Sequence, residues 1–214
     1  MRRAHDIGLI TQRDRDLSAW LARLVGATVD QIRLRFGLGR TQAYRRLQVL
    51  HAYGLVKRHR LLAERPTLYA ARGQRVRIAT FEHALAVTEL VVARELAGAR
   101  ILTDTELHRA RGEQRRLGLL PVDGGLALAL ECERIPDAAE VRRSGELWAY
   151  ELERSSKGRR RREAILTDYA ASSYQKVIWI APDPQLAALI RADVEQMGLS
   201  EQMEVRNGIS QDSR

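Results

Sequence analysis

The chain has 214 residues, of which 45% are hydrophobic and 29% are charged, as in an ordinary globular protein that folds in water. No apolar run approaches the roughly 20 residues of a membrane-spanning helix, and the N-terminus lacks the apolar stretch of a secretory signal. A single cysteine, Cys132, excludes a disulfide framework and a cysteine-based zinc site. We therefore expect a cytoplasmic protein without a membrane partner.

The net charge of +9 is concentrated in the first part of the chain. Residues 1–80 carry 17 Lys and Arg against 5 Asp and Glu, whereas residues 81–214 carry 19 against 22. Such an excess over one segment is typical of a surface that binds phosphate. Arginine supplies almost all of it, which indicates either bidentate phosphate recognition or the codon bias of a GC-rich genome. Nucleic acid is therefore the first partner to consider.

Two helices are predicted at the start of this basic segment. Apolar residues recur at helical spacing over residues 12–25, and Gly26 ends the first helix. Thr28 and Gln31 have the spacing of a capping box, which predicts that a second helix begins there. Gly37 then permits a tight turn into the next element.

A third helix is predicted over residues 40–53, with Ala43, Leu47 and Leu50 on its core face. The opposite face is polar and lies toward the N-terminal half of the helix. It carries Arg40, Thr41, Gln42, Tyr44, Arg45 and Gln48. In a helix-turn-helix, such a face enters the major groove, where Arg suits guanine and Gln suits adenine. These six side chains are therefore candidate DNA-binding residues.

A basic hairpin follows, with strands predicted over residues 55–60 and 67–70. It would carry Lys57, Arg58 and Arg60 to the phosphate backbone. Helix, turn, helix and hairpin is the order of a winged helix-turn-helix, which we assign to residues 1–78 with double-stranded DNA as the partner. The alternative is a protein-interaction or dimerisation domain on which these arginines form a solvated face.

Residues 79–207 predict a mixed α/β domain, followed by a flexible polar tail over residues 208–214. Helices are predicted over residues 81–96, 104–116, 159–173 and 184–197, the second of them capped by Asp104. Strands are predicted over residues 101–103, 138–141, 147–153, 177–180 and 203–205. On the first of these helices, Leu85, Thr88, Val92 and Leu96 form one apolar stripe.

Carboxylates mark one candidate catalytic site in this second domain. Glu151 and Glu153 project to the same face of their strand, because side chains on a strand alternate. If Asp137 ends the neighbouring strand, three carboxylates converge, and oxygen ligands of this kind suit Mg²⁺ or Mn²⁺. Such an ion could activate water for phosphodiester cleavage, with Lys157 neutralising charge on the phosphate. Asp137 and Glu151 are the predicted metal ligands, and all four residues are catalytic candidates.

These residues resemble the PD-(D/E)-x-K nuclease core, in which an acid after a proline pairs with an acid-x-lysine on the next strand. The resemblance implies a restriction-endonuclease-like fold for the second domain. Glu153 occupies the lysine position, so Lys157 or Lys176 would have to replace that lysine. Two alternatives stay open: a nuclease-like fold that has lost catalysis, and a hairpin whose carboxylates pair with Arg154, Arg159 and residues 160–162.

Taken together, the two halves resemble the replication-relaxation family of plasmids and other mobile elements. The resemblance rests on the order of five features: the winged helix, the segment HALAVTEL at residues 83–90, TDTELHR at residues 103–109, the Pro-Asp strand, and the acidic strand followed by a basic helix that ends near Tyr169. It implies a DNA-binding accessory role in plasmid replication, relaxation or transfer. It also implies that His83 and Glu89 line a pocket, although a His on an apolar helix is more often a core residue whose polar atoms are satisfied.

Three functions remain from the sequence. The first is a DNA-binding regulator or accessory factor of a mobile element, which requires only the winged helix. The second is a metal-dependent endonuclease, nicking or cleaving DNA, that the winged helix targets. The third is an α/β domain that serves as an oligomerisation platform, so that a homodimer presents two copies of the DNA-binding helix.

Overall fold

The structure is a computed structural model that describes residues 9–60, 63–118 and 123–209. It mixes α-helices with two β-sheets, as the sequence predicted. The chain forms two compact units, Met1–Val92 and Ala93–Arg214. The division falls inside the helix Phe81–Leu96, whereas the boundary predicted after residue 78 lies just before that helix.

The first unit begins with three helices and three short strands. In chain order these are α1 (Gln12–Ala22), β1 (Ala27–Thr28), α2 (Val29–Phe36), α3 (Arg40–Ala52), β2 (Val56–His59) and β3 (Leu68–Ala71). The strands form an antiparallel sheet in the order β1-β3-β2, so β2 is an edge strand. Strand β1 was not predicted, because two residues carry no readable periodicity.

Local capping explains where the helices of the first unit start and stop. Thr28 and Gln31 form the predicted capping box at the start of α2, which ends at Gly37 with φ of 60°. Helix α1 ends at Ala22 rather than at the predicted residue 25. The reason is that the amide of Leu24 donates to the carbonyl of Leu21, three residues back, so the last turn tightens.

The core of the first unit lies between these helices and the small sheet. Its fully buried side chains include Leu17, Leu21, Ile32, Leu47, Leu50 and Leu68. Trp20 packs edge-on against Phe36, with 5.7 Å between the ring centroids. The helix α4 (Phe81–Leu96) is joined to this unit by a hydrogen bond of 2.8 Å from the Thr88 hydroxyl to the carbonyl of Gly26.

The second unit contains a five-stranded sheet with helices between the strands. Its remaining elements are β4 (Arg100–Thr103), α5 (Asp104–Leu117), α6 (Gly124–Glu131), β5 (Ala138–Val141), β6 (Leu147–Leu152), α7 (Arg159–Ala170), β7 (Lys176–Ile180), α8 (Pro184–Gln196) and β8 (Met203–Arg206). The strand order is β4-β5-β6-β7-β8. The first three strands are antiparallel, whereas β7 and β8 run parallel to β6.

One core holds the second unit together on the sheet face that carries Ala149, Val177 and Trp179. Ile165 and Leu166 of α7 and Ile190 of α8 contribute to it. Three aromatic side chains, Tyr169, Tyr174 and Trp179, meet edge-on inside it. This packing fixes the start of β5 and the end of β6, beside which Asp137 and Glu151 lie.

Several details of the second unit differ from the sequence-based predictions. Helix α6 was not predicted, because a short apolar segment that opens with two glycines does not read as a helix. The cap of α5 is Thr103, paired with Glu106 in a capping box, and Asp104 is the first helical residue instead. The predicted stripe on α4 is wrong at Leu96, which is 57% exposed.

Within the described residues, no helix is both long and apolar enough to cross a membrane. Of the predicted tail, residues 210–214 lie outside the described residues.

Candidate nucleic-acid interface and carboxylate cluster

The polar face of α3 is exposed along the N-terminal part of the helix. Ala43, Leu47 and Leu50 are buried, as predicted. All six candidate side chains on the other face are exposed: Arg40, Thr41, Gln42, Tyr44, Arg45 and Gln48. Gly39 caps the helix without a side-chain acceptor, and the first turn holds no acidic residue. The partial positive charge of the backbone amides at this end of α3 is therefore not offset by a side-chain cap or by an acidic residue of the first turn.

The hairpin of β2 and β3 adjoins this face of α3. Lys57 and Arg58 on β2 and Arg60 after it are exposed. Tyr69 on β3 lies opposite Arg58 in the sheet. Burial, followed by Tyr44 of α3, raises the pKa of Tyr69, while Arg58 lowers it. Tyr44 on the exposed face of α3 and Arg58 on the edge strand β2 therefore both lie near Tyr69, and the two elements are described together as one surface.

The cations of this surface are not neutralised by the residues that the structure describes. No ion pair to any of those residues is formed by Arg40, Arg45, Lys57, Arg58 or Arg60. Arg46 differs, because its Nε donates to Oδ1 of the buried Asp14 at 2.7 Å and the two side chains form an ion pair. Arg46 therefore stabilises the fold of the first unit, and the adjacent Arg45 remains available to a ligand.

In the second unit, Asp137, just before β5, lies beside Glu151 on the adjacent strand β6. Ala138 pairs with Tyr150 in the antiparallel register of β5 and β6, which places the residue before β5 beside Glu151. An oxygen of Asp137 accepts a hydrogen bond of 2.7 Å from the amide of Leu152. The juxtaposition expected from the sequence, an acid after proline beside an acid on the next strand, is therefore present.

The side chain of Glu151 is already engaged by two donors. Nε of Arg134 donates to Oε1 of Glu151 at 3.0 Å, and the hydroxyl of Tyr169 donates to the same oxygen at 2.5 Å. The guanidinium of Arg134 also lies over the ring of Tyr169, 5.2 Å from its centroid. A cation and a hydroxyl thus satisfy this buried carboxylate from within the protein.

Burial and neighbouring charge shift the acidity of this cluster. Burial, and then the nearby Asp137, raise the pKa of Glu151 to about 7, against the lowering effect of Arg134 and Tyr169. Burial also raises the pKa of Asp104 at the start of α5, and Asp137 adds to the increase. Asp137 therefore lies between two other carboxyl groups, each of which is easier to protonate because of it.

Glu153 and Lys157 are engaged with each other rather than with the cluster. The ammonium group of Lys157 donates to Oε2 of Glu153, whose other oxygen accepts from the amide and hydroxyl of Ser155 at 3.3 Å. Glu153 lies just after the end of β6, and its partners belong to the loop that follows. Lys157, which was predicted to neutralise charge on a phosphate, is thus paired with the buried carboxylate of Glu153.

These contacts do not fit the divalent cation expected from the sequence. Among the residues that the structure describes, no three His, Cys, Asp or Glu side chains are grouped so that they could hold a metal ion. The expected convergence of Asp137, Glu151 and Glu153 is not formed, because Glu153 bonds within its own loop and Arg134 holds Glu151. The catalytic roles of these residues and of Lys157 stay predictions.

Sequence reasoning missed Arg134, Asp104 and the role of Tyr169 in this cluster. Arg134 and Asp104 come from segments far from Glu151 in the chain, and neither stands in a recognisable spacing to it. On α4, Glu89 is exposed and His83 is half-buried. Their predicted position in a pocket stays a prediction.

No protein-family model matches the chain, and no curated protein matches it either.

Proposed function

We propose that this protein binds double-stranded DNA through a winged helix-turn-helix in its first unit. In this proposal α3 is the recognition helix, and β2 with β3 forms the wing. The single observation that carries it is the set of five exposed cations on α3 and the hairpin without ion-pair partners among the described residues. Unpaired exposed cations release counterions from DNA, which is the main source of affinity for its backbone.

The distribution of side chains suggests that α3 and the hairpin make different kinds of DNA contact. Arg45 and Gln48 lie on the exposed face of α3, where Arg suits guanine and Gln suits adenine. Lys57, Arg58 and Arg60 lie on or beside an edge strand, where a flexible cation reaches phosphate more readily than a base. We therefore assign base recognition to α3 and backbone contact to β2.

We further propose, on the resemblance to the replication-relaxation family, that the protein acts as a regulator or accessory factor of a plasmid or other mobile element. A homodimer is part of this proposal, because two copies of α3 would match the two halves of a palindromic site. The second unit then serves as a nuclease-like scaffold. In its support, an acid after proline adjoins an acid on the next strand, as in the PD-(D/E)-x-K core.

The replacement Arg58→Ala tests backbone contact by the hairpin. We expect weaker binding to all DNA sequences, and a plot of log affinity against log salt whose slope falls by about 1, since one phosphate contact is lost. Fluorescence anisotropy with a cognate and a random duplex over a salt series measures both quantities. The control is Arg15→Ala on α1, an exposed arginine of the same unit. Equal salt slopes for both variants and the unaltered protein would contradict the assignment.

Incubation with supercoiled plasmid and Mg²⁺ or Mn²⁺ tests the endonuclease alternative. We expect retarded but uncut plasmid, because Arg134 already supplies the positive charge beside Glu151 and Lys157 is held by Glu153. The same mixture with a chelator serves as the control. Nicking that disappears in both Asp137→Ala and Glu151→Ala would establish the endonuclease in place of the inactive scaffold.

A further inference from the structure

A cavity of about 590 Å³ in the second unit has arginines on several sides. It lies among the segment after α4, the start of β4, and the turn between β5 and β6. Its charged lining consists of Arg94, Arg100, Arg142, Arg143, Glu140 and Glu146. Arg100 is paired with Asp123, so four guanidinium groups stand against three carboxylates and an excess of one positive charge remains. The volume is that of a small-molecule site. The cavity is separate from the cluster around Glu151.

Glu140 holds two of these arginines in place. Its side chain is 3% exposed and accepts from Nε of Arg94 at 2.9 Å and from Nη1 of Arg142 at 2.6 Å. The hydroxyl of the buried Tyr150 donates to the same carboxylate at 2.8 Å. A buried carboxylate with three donors is rigid, so both guanidinium groups are fixed before any ligand binds.

Arg142 is fixed from a second side as well. Its guanidinium lies over the ring of Trp148, 4.3 Å from the centroid. Only one of its nitrogens donates to Glu140, so the other N–H groups of its planar fork have no acceptor among the described residues. The neighbouring Arg143 is exposed and forms no ion pair with those residues. The turn thus presents one arginine held by Glu140 and Trp148 and one exposed arginine without an ion-pair partner among the described residues.

We propose that this cavity binds a phosphate group, carried either by a nucleic-acid backbone or by a free nucleotide. Arginine binds phosphate oxygens through two parallel N–H groups, and a guanidinium held by a carboxylate loses little entropy in doing so. Arg142 and Arg143 contact the phosphate, and Glu140 is a positioning residue. This site does not depend on DNA binding by α3, which belongs to the first unit.

Isothermal titration calorimetry of the full chain with inorganic phosphate tests the site, with sodium chloride at matched ionic strength as the reference. We expect saturable binding that weakens about tenfold in Arg142→Gln and in Arg143→Gln, the loss of one charged hydrogen bond. Arg116→Gln is the matched control, because Arg116 is exposed in the same unit and lies outside this cavity. Arg143 bonds to no described residue, so its variant should melt at the temperature of the unaltered protein. Absence of saturable binding, or equal binding by all variants, overturns the proposal.

Two further binding experiments, with a random DNA duplex and with adenosine monophosphate, identify the source of the phosphate. If the source is a nucleic-acid backbone, Arg142→Gln and Arg143→Gln weaken binding to a random DNA duplex, and Arg116→Gln does not. If the source is a free nucleotide, adenosine monophosphate binds more tightly than inorganic phosphate, and DNA binding is the same in all three variants. A loss of DNA binding in Arg58→Ala alone concerns the first unit and leaves this site unaffected.

Discussion

Replacement of Arg162 by alanine is expected to destabilise the second unit by about 3–5 kcal/mol. Arg162 on α7 and Asp193 on α8 are 7% and 8% exposed in their side chains, with 2.6 Å between Nε and Oδ2. Arg162 also donates to the carbonyl of Lys157 at 2.5 Å. Its removal would leave the buried carboxylate of Asp193 without its bonded counter-charge, which costs far more than the loss of an exposed ion pair. Chemical denaturation followed by circular dichroism measures the change.

Two further variants make this experiment specific. Arg161→Ala removes the preceding arginine of the same helix, which is exposed, and should change the free energy of unfolding by less than about 0.5 kcal/mol. The double replacement Arg162→Met with Asp193→Leu should recover most of the stability, because an apolar pair leaves no unpaired charge. Similar losses in Arg161→Ala and Arg162→Ala would show that the buried ion pair is not what stabilises α7 against α8.

Replacement of Arg45 by alanine is expected to weaken binding to the cognate DNA site by roughly 1–3 kcal/mol. Arg45 is exposed on the face of α3 that we assign to the major groove, and it forms no ion pair with the described residues. A base contact contributes only at the cognate site, so affinity for random DNA should fall much less. The preferred site is first selected from a random pool, and affinities for both duplexes are then compared.

The outcome separates two kinds of contact. Gln48→Ala should behave as Arg45→Ala does, since both side chains face the same way, and Arg15→Ala on α1 serves as the control. Equal losses on cognate and random DNA would mean that Arg45 contacts phosphate rather than a base. An unchanged affinity on both would remove α3 from the interface, and with it the proposed mode of DNA binding.

Elements governed by local interactions were predictable from the sequence. Helix α4 and strand β5 have the predicted bounds, and α2 begins at the predicted capping box of Thr28 and Gln31. Capping, glycine turns and helical periodicity act over a few residues, so the local sequence is sufficient to predict where these elements begin and end. The same periodicity identified the exposed face of α3, since it follows directly from which residues are apolar.

Contacts between distant residues were not predictable in this way. The basic segment of residues 159–162 reads as four equivalent arginines, yet only Arg162 is buried, because α8 brings Asp193 beside it. Likewise, nothing near Glu151 in the chain indicates that Arg134 approaches it from the segment after α6. A carboxylate in a strand can bind a metal or an arginine, and its own sequence neighbours do not decide between them.

The sequence by itself determined the positions of most helices and strands, the basic character of the first unit, and the residues on the exposed face of α3. Only the tertiary structure decided which distant charges neutralise one another: Asp14 with Arg46, Glu140 with Arg94, Glu151 with Arg134, and Asp193 with Arg162. The physical reason is the distance along the chain over which each interaction acts. Backbone capping and periodicity are decided within a turn or two of chain, whereas a buried charge takes its partner from whichever element the packed core places beside it.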